Sequence, residues 1–221
     1  MKIFASFFAI LFLGFGVSSV LGISAGLTNA APGKITSTSD VSPQVSAPVR
    51  NAEGFRVVRV GLYENKPKIY TDEKGDPAGI FVVILNEIAQ RENWKLHYVS
   101  GDWSHCLESL ENGEIDLMPD VAYSSERNET MDFHSEGVVN SWAEIYSARS
   151  KHYRNLADLD GKKVAVLSDS IQKGLFSEMM QGFGYTATLV EVASAIEELT
   201  LAVDQKVDAI IVNRFFGDYY C

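Results

Sequence analysis

The chain has 221 residues, of which 46% are hydrophobic and 22% charged, and its formal net charge is −10. This composition excludes a wholly disordered chain, and the low proline and glycine content excludes a collagen-like one. The acidic balance argues against nucleic-acid binding, because contacts with phosphate need clustered lysine and arginine. Two cysteines are too few for a disulfide framework or a four-thiolate zinc site.

The first 54 residues differ from the rest. The segment Met1–Ala30 has a lysine at position 2, then an apolar run from Ile3 to Leu27 and small residues, which is typical of a secretory signal. The run is also long enough to span a bilayer, so an uncleaved membrane anchor is the alternative. Residues Ala31–Gly54 are rich in Ser, Thr, Pro and Val without a period and predict a flexible linker. Both alternatives place the remaining chain in the periplasm or otherwise outside the cytoplasm.

From Phe55 onward, short apolar runs alternate with helical patterns. In the first predicted helix, Ile80, Val83, Ile84 and Ile88 fall on one face. The order strand, helix, strand, helix, strand predicts a parallel sheet with right-handed crossovers. The predicted elements are strands at Arg56–Leu62, Lys95–Val99 and Ile115–Met118, and helices at Ile80–Arg91 and Ser104–Asn112.

The same alternation repeats after a connecting stretch, Val138–Arg149. Two α/β units in series predict a cleft between them, and ligands of open α/β sheets bind beyond the carboxyl ends of the strands. The predicted elements are strands at Lys163–Leu167, Thr186–Val192 and Val207–Val212, and helices at Ile171–Gly182 and Ala195–Lys206.

Several ordered blocks give the chain a family resemblance. Between Val57 and Tyr220 it resembles the family-3 extracellular solute-binding proteins, which have the type 2 periplasmic-binding-protein fold. None of the blocks is specific alone, but their order and spacing are hard to obtain by chance. The main blocks are Thr71–Gly75, Asp102–Trp103, Leu110–Leu117, Ser124–Arg127, Met131–Phe133, Leu156–Val166 and Gln205–Ala209.

The resemblance implies an α/β fold of two lobes, each a βαβ-type sheet with flanking helices. Lobe 1 is expected at Phe55–Asn140 and lobe 2 at Ser141–Asn213. Relatives then cross back and complete lobe 1, so Arg214–Cys221 is expected to be the start of a crossover whose second return is missing.

Within the family, the chain is most similar to the sensor-input modules of membrane signalling proteins. The blocks that suggest this are Asp120–Ser124, Asn140–Trp142 and Val212–Gly217. The expected partners are a small-molecule ligand and either a fused signalling domain or, in the transport alternative, a membrane permease.

Arg127 lies where the resemblance implies an arginine that grips a ligand carboxylate, a task that suits its planar fork of donors. The alternative is a solvated arginine paired with Glu126 or Glu129. Ser124 would add a hydroxyl to the same ligand group, or cap the following helix.

Ser168, Asp169 and Ser170 lie between a predicted strand and a predicted helix. Backbone N–H groups at such a place bind anions, although Ser and Asp also serve as plain helix caps. The Asp169 carboxylate would compete with an anion for these N–H groups.

Asn213 lies where amino-acid binders of this family usually carry an aspartate for the α-ammonium. Asparagine supplies no charge, so a dicarboxylate or a neutral polar solute fits as well as an amino acid. Tyr70 is the aromatic residue kept in the loop Lys66–Tyr70, which corresponds to an aromatic lid in the family.

Trp103 and Trp142 are expected either to stack on a ligand or to fill the core. Asp120 is expected at a strand end facing the cleft, where it reads a ligand donor or holds the turn. Some dehydratases and lyases share the fold, and in that alternative Asp120 is the expected general acid or base.

The sequence predicts neither a metal nor a cofactor, and no catalytic motif is recognisable. The four histidines lack a zinc-ligand spacing. Binding rather than catalysis is therefore the expected activity.

Overall fold

The computed structural model describes residues 54–221 and, by its backbone alone, one strand at Phe7–Phe12. The predicted signal or anchor segment and nearly all of the predicted linker otherwise lie outside these residues. Within the part that the structure describes, no helix combines the length and the hydropathy that a membrane crossing requires.

Two α/β units follow one another along the chain, and they confirm the predicted fold class. Lobe 1 contains two paired strands, two helices and a small two-stranded hairpin, and its core includes Leu62, Trp103 and Ile115. The elements are β2 Arg56–Leu62, β3 Tyr70–Thr71, β4 Pro77–Ala78, α1 Ile80–Glu92, β5 Trp94–Ser100 and α2 Trp103–Glu111.

Lobe 2 is built on a five-stranded sheet with the order β1-β6-β9-β7-β8, in which β7, β8 and β9 are parallel. The strand β6 pairs antiparallel with β9, and β1 pairs antiparallel with β6. The elements are β1 Phe7–Phe12, β6 Ala143–Ala148, β7 Lys162–Leu167, α3 Ile171–Gly182, β8 Ala187–Val192, α4 Ala195–Val203, β9 Ala209–Asn213 and α5 Arg214–Tyr220.

The face of α1 that packs inward is not the face that the spacing picked out. The buried residues are Phe81, Val82, Leu85 and Ala89, whereas Val83 is 70% exposed. The run Ile80–Leu85 is apolar all round, so two stripes at helical spacing compete and only the contacts with the sheet decide between them.

Two other predicted elements differ in the structure. The segment predicted as the strand Ile115–Met118 makes only a single parallel bridge, from Leu117 to Val60. A side chain replaces part of the ladder there, because the backbone N–H of Arg59 donates to Asp116 Oδ2 at 2.8 Å.

The predicted connecting stretch Val138–Arg149 contains the buried strand β6. The carboxylate of its Glu144 is buried and accepts hydrogen bonds from Trp142 Nε1 at 2.9 Å and from the Tyr146 hydroxyl. Satisfied hydrogen bonds allow a polar residue inside a sheet.

Glu198 of α4 is a buried acid of lobe 2. The residue is 1% exposed, and its Oε2 has no hydrogen-bond partner among the described residues. Burial raises the pKa of its carboxyl well above the ordinary value, and the backbone amides of Ile211 and Leu167 offset this only in part.

We expect Glu198→Gln to increase stability relative to the parent as pH rises. The raised pKa means that the parent has its full stability below the ordinary glutamate pKa and loses stability as pH rises toward the folded value. Urea unfolding from about pH 4 to pH 8 measures the difference in free energy of unfolding, which should grow to about 1–3 kcal/mol. The matched control is Glu178→Gln, an exposed residue of α3, for which the difference should stay near zero. A Glu198→Gln difference that does not vary with pH would contradict the buried neutral acid.

Candidate functional site

Arg127 joins the two lobes. It opens a short 3₁₀ helix, Arg127–Glu129, whose first backbone N–H donates to Ser124 Oγ at 3.2 Å. One end of the guanidinium donates to the carbonyl of Ala122 at 2.9 Å, and the other donates to the carbonyl of Asp169 in lobe 2 at 2.6 Å. Ser124 therefore holds the backbone of Arg127, while the fork reaches across the gap. Partial burial lowers the pKa of Arg127 from its ordinary value, and nearby Glu126 and Asp169 oppose that shift.

The loop between β7 and α3 supplies the opposite wall. Asp169 has a left-handed backbone with φ 55°, and its Oδ2 accepts a hydrogen bond from Ser104 Oγ at 3.0 Å. The N–H groups of Ser168 and Ser170 donate to the carbonyls of Val192 and Leu167. Ser170 Oγ donates to that same Leu167 carbonyl at 2.6 Å, so it does not cap α3. The loop thus meets lobe 1 through the carbonyl and carboxylate of Asp169.

Trp103 both fills the core of lobe 1 and underlies Arg127. Its ring packs edge-on against Tyr63 with centroids 5.4 Å apart, and the Arg127 guanidinium carbon lies 5.7 Å from its centroid. Its indole Nε1 is buried without a hydrogen-bond partner among the described residues. A buried N–H without a partner next to a guanidinium favours the binding of a hydrogen-bond acceptor close to Trp103 and Arg127.

A second network joins the lobes beside Tyr63. Asp120, with φ 63°, forms an ion pair with Lys68 at 2.5 Å between Nζ and Oδ2, and Asn65 Nδ2 donates to that same oxygen at 2.7 Å. The amide of Asn213 in lobe 2 donates to Asn65 Oδ1 at 3.0 Å. The sequence had indicated Asp120 and Asn213 but had missed Lys68 and Asn65.

The Tyr63 hydroxyl connects the two networks. It donates to the carbonyl of Pro119 at 2.9 Å, directly before Asp120, and the charges of both Asp120 and Arg127 act on it. Burial is the main cause of the strongly raised pKa of this hydroxyl. Burial likewise raises the pKa of the Asp120 carboxyl, and the Lys68 ammonium opposes that shift.

Tyr70 and Trp142 have their contacts elsewhere. The ammonium of Lys66 lies 4.8 Å from the centroid of Tyr70. The Arg214 guanidinium lies 4.5 Å from the Trp142 ring, whose Nε1 donates to Glu144. None of the contacts described for Tyr70 and Trp142 reaches Arg127 or Asp120, so their part in a site remains a prediction.

The part of the chain that the structure describes contains neither a cluster of metal ligands nor a disulfide bond. Within it, no three His, Cys, Asp or Glu side chains converge as metal ligands. Cys106 and Cys221 are free: Cys106 lies in the core of lobe 1, and Cys221 packs partly buried against a core cluster of lobe 2. Burial raises the pKa of the Cys106 thiol to about 11.

Comparison with known families gives one match over most of the described chain. Residues 58–214 match the model of the bacterial extracellular solute-binding proteins, family 3. The amino-acid-binding protein AabA of Dichelobacter nodosus is 28% identical over 179 residues, which cover 76% of this chain and 68% of that protein.

Solved structures share the same fold. A histidine kinase sensor domain with similarity to periplasmic binding proteins is 25% identical with a TM-score of 0.66, and the match covers 76% of this chain and 72% of that one. The holo form of ArgBP from T. maritima is 22% identical, also with a TM-score of 0.66, over 74% of this chain and 72% of that one.

Proposed function

The chain belongs to the bacterial extracellular solute-binding proteins of family 3, and on that premise we propose that it binds a small carboxylate between its two lobes. The single observation that carries this proposal is the guanidinium of Arg127, which spans the gap from Ala122 to Asp169. A forked, permanently charged donor at the meeting of two lobes suits a carboxylate, which accepts two parallel hydrogen bonds.

Binding is coupled to the relative position of the lobes. Lobe 1 contributes Arg127 and the Asn65–Asp120 pair, and lobe 2 contributes Asp169 and Asn213. A ligand that contacts both sides stabilises only the arrangement in which the lobes meet, so it shifts the population toward closure. Closure is therefore the proposed signal or delivery step.

The proposal includes two possible recipients of lobe closure, a membrane permease and a fused signalling domain. The similarity to AabA, whose name describes a binding protein, supports delivery to a membrane permease. The similarity to a histidine kinase sensor domain supports transmission to a fused signalling domain. In both settings we place the module outside the cytoplasm and propose binding without turnover, which matches the family description.

A thermal-shift screen of the 221-residue chain against amino acids and other small carboxylates tests the proposal. We expect the melting temperature to rise with ligand concentration, by a stabilisation that follows the logarithm of concentration over Kd. The matched controls are the neutral amides of the same acids, for example succinamide for succinate, which offer Arg127 no charge. Equal shifts with acids and neutral amides would contradict the carboxylate clasp.

A further inference from the structure

A lysine is buried at the interface between the two lobes. The Lys68 side chain is only 4% exposed, and its ammonium lies 2.5 Å from Asp120 and 5.8 Å from the ring centroid of Phe215 in lobe 2. A buried lysine must be paired, and Asp120 is the only carboxylate among the four residues of this network. The acid here is therefore already neutralised from within the chain.

The remaining members of the network offer mainly donor hydrogens. Asn213 Oδ1 accepts from the backbone N–H of Phe216 and so caps α5, while its amide donates to Asn65. Each asparagine amide carries two N–H groups and the Lys68 ammonium three, which is more than the hydrogen bonds found between these residues. This end of the site therefore offers a ligand more hydrogen-bond donors than acceptors.

An ammonium group on the ligand would meet an unfavourable charge environment here. It would lie beside the Lys68 ammonium, and like charges that are shielded from water repel strongly. To pair with Asp120, it would have to replace an ion pair that already exists. Glu126 and Asp169 are further acids near Arg127, but both are exposed, and exposed ion pairs contribute little. Asp169 also already accepts a hydrogen bond from Ser104.

We infer that the ligand is a carboxylate without an ammonium group, whose second polar group is a hydrogen-bond acceptor: a dicarboxylate, hydroxy acid or oxo acid rather than a zwitterionic amino acid. This inference rests on the proposed function, because it takes Arg127 as the partner of the first carboxylate. Lys68, Asn65 and Asn213 then donate to the second group.

Isothermal titration of the 221-residue chain with matched acids tests this inference. The pairs are 2-oxoglutarate against glutamate and malate against aspartate, which differ only in the group that replaces the ammonium. The acid without the ammonium should bind about tenfold or more tightly. Equal or tighter binding of the amino acid overturns the inference and leaves the proposed function standing. If none of the four acids binds and no other carboxylate of the screen binds, the proposed function is overturned and the inference with it.

A substitution at Asn213 gives an independent check. Asn213→Asp keeps a helix-capping oxygen for α5 and adds a negative charge, so the preference should move toward the amino acid by about tenfold or more. The control is Asn155→Asp, which also changes a helix cap in lobe 2 but lies outside the network. If Asn213→Asp leaves the preference unchanged, the charge at this position does not select the ligand and the inference fails.

Discussion

Replacing Arg127 by methionine is expected to weaken carboxylate binding by about 2–5 kcal/mol, or about 30-fold or more in Kd. Methionine keeps much of the side-chain volume and the contact with Trp103 but removes the fork that spans Ala122 and Asp169. Titration calorimetry with the best acid from the screen measures the change. The same variant should lose little thermal stability, since only two hydrogen bonds at a partly exposed site disappear.

Two further variants separate charge from geometry at this position. Arg127→Lys keeps the positive charge without the planar fork, so its Kd should lie between those of the parent and the methionine variant. Arg91→Met removes an arginine from the exposed pair with Glu87 on α1, far from the lobe interface, and should leave Kd unchanged. An unchanged Kd in Arg127→Met would show that Arg127 does not bind the ligand.

The second large effect is expected at Gly79, where Gly79→Ala should reduce the free energy of unfolding by about 3–5 kcal/mol. Gly79 precedes α1 with φ 114° and ψ 175°, a backbone region that is essentially restricted to glycine. An added Cβ would lie 2.4 Å from the carbonyl oxygen of Lys68 and 2.9 Å from that of Pro67. Both atoms belong to the backbone, so no flexible side chain can move away.

The damage at Gly79 should extend to the site. The same two carbonyls accept hydrogen bonds from the first N–H groups of α1, at Ile80 and Phe81, and thereby hold the loop that carries Lys68. Chemical unfolding measures the stability loss. The control is Gly75→Ala, also at positive φ but with open space around the new Cβ, which should cost about 1–2 kcal/mol. Equal losses in the two variants would show that crowding at Lys68 is not the cause.

The sequence predicted elements well where local chemistry sets their limits. The helix Ile171–Gly182 has the predicted bounds, and the predicted helix Ser104–Asn112 ends before Gly113, which has a left-handed backbone. The face of α1 could not be predicted, because an apolar run such as Ile80–Leu85 gives no local signal of which side meets the sheet. The partial strand at Ile115–Met118 likewise depends on the Asp116 side chain, which accepts a hydrogen bond from the backbone of Arg59, far away in the chain.

For the candidate site, the sequence indicated charged and strand-end positions but not the buried residues that contact them. Arg127 and Asn213 were indicated by family resemblance, and Asp120 by its place at a predicted strand end. Lys68 and Asn65 belong to a loop whose composition predicts exposure. Their burial depends on residues of lobe 2, including Asn213, which is 148 positions from Asn65.

In the proposed function, the hydrogen bond from Arg127 to the carbonyl of Asp169 also selects between ligands. A ligand that binds this end of the guanidinium replaces the Asp169 carbonyl. Its contribution to the binding free energy is therefore only the difference in strength between the new hydrogen bond and the one it replaces. A carboxylate oxygen adds the attraction between opposite charges to its hydrogen bond with the guanidinium, whereas the neutral oxygen of a sugar or an alcohol gains almost nothing by the exchange. If the proposed function holds, we therefore expect uncharged solutes to bind weakly here, because they compete poorly with the Asp169 carbonyl.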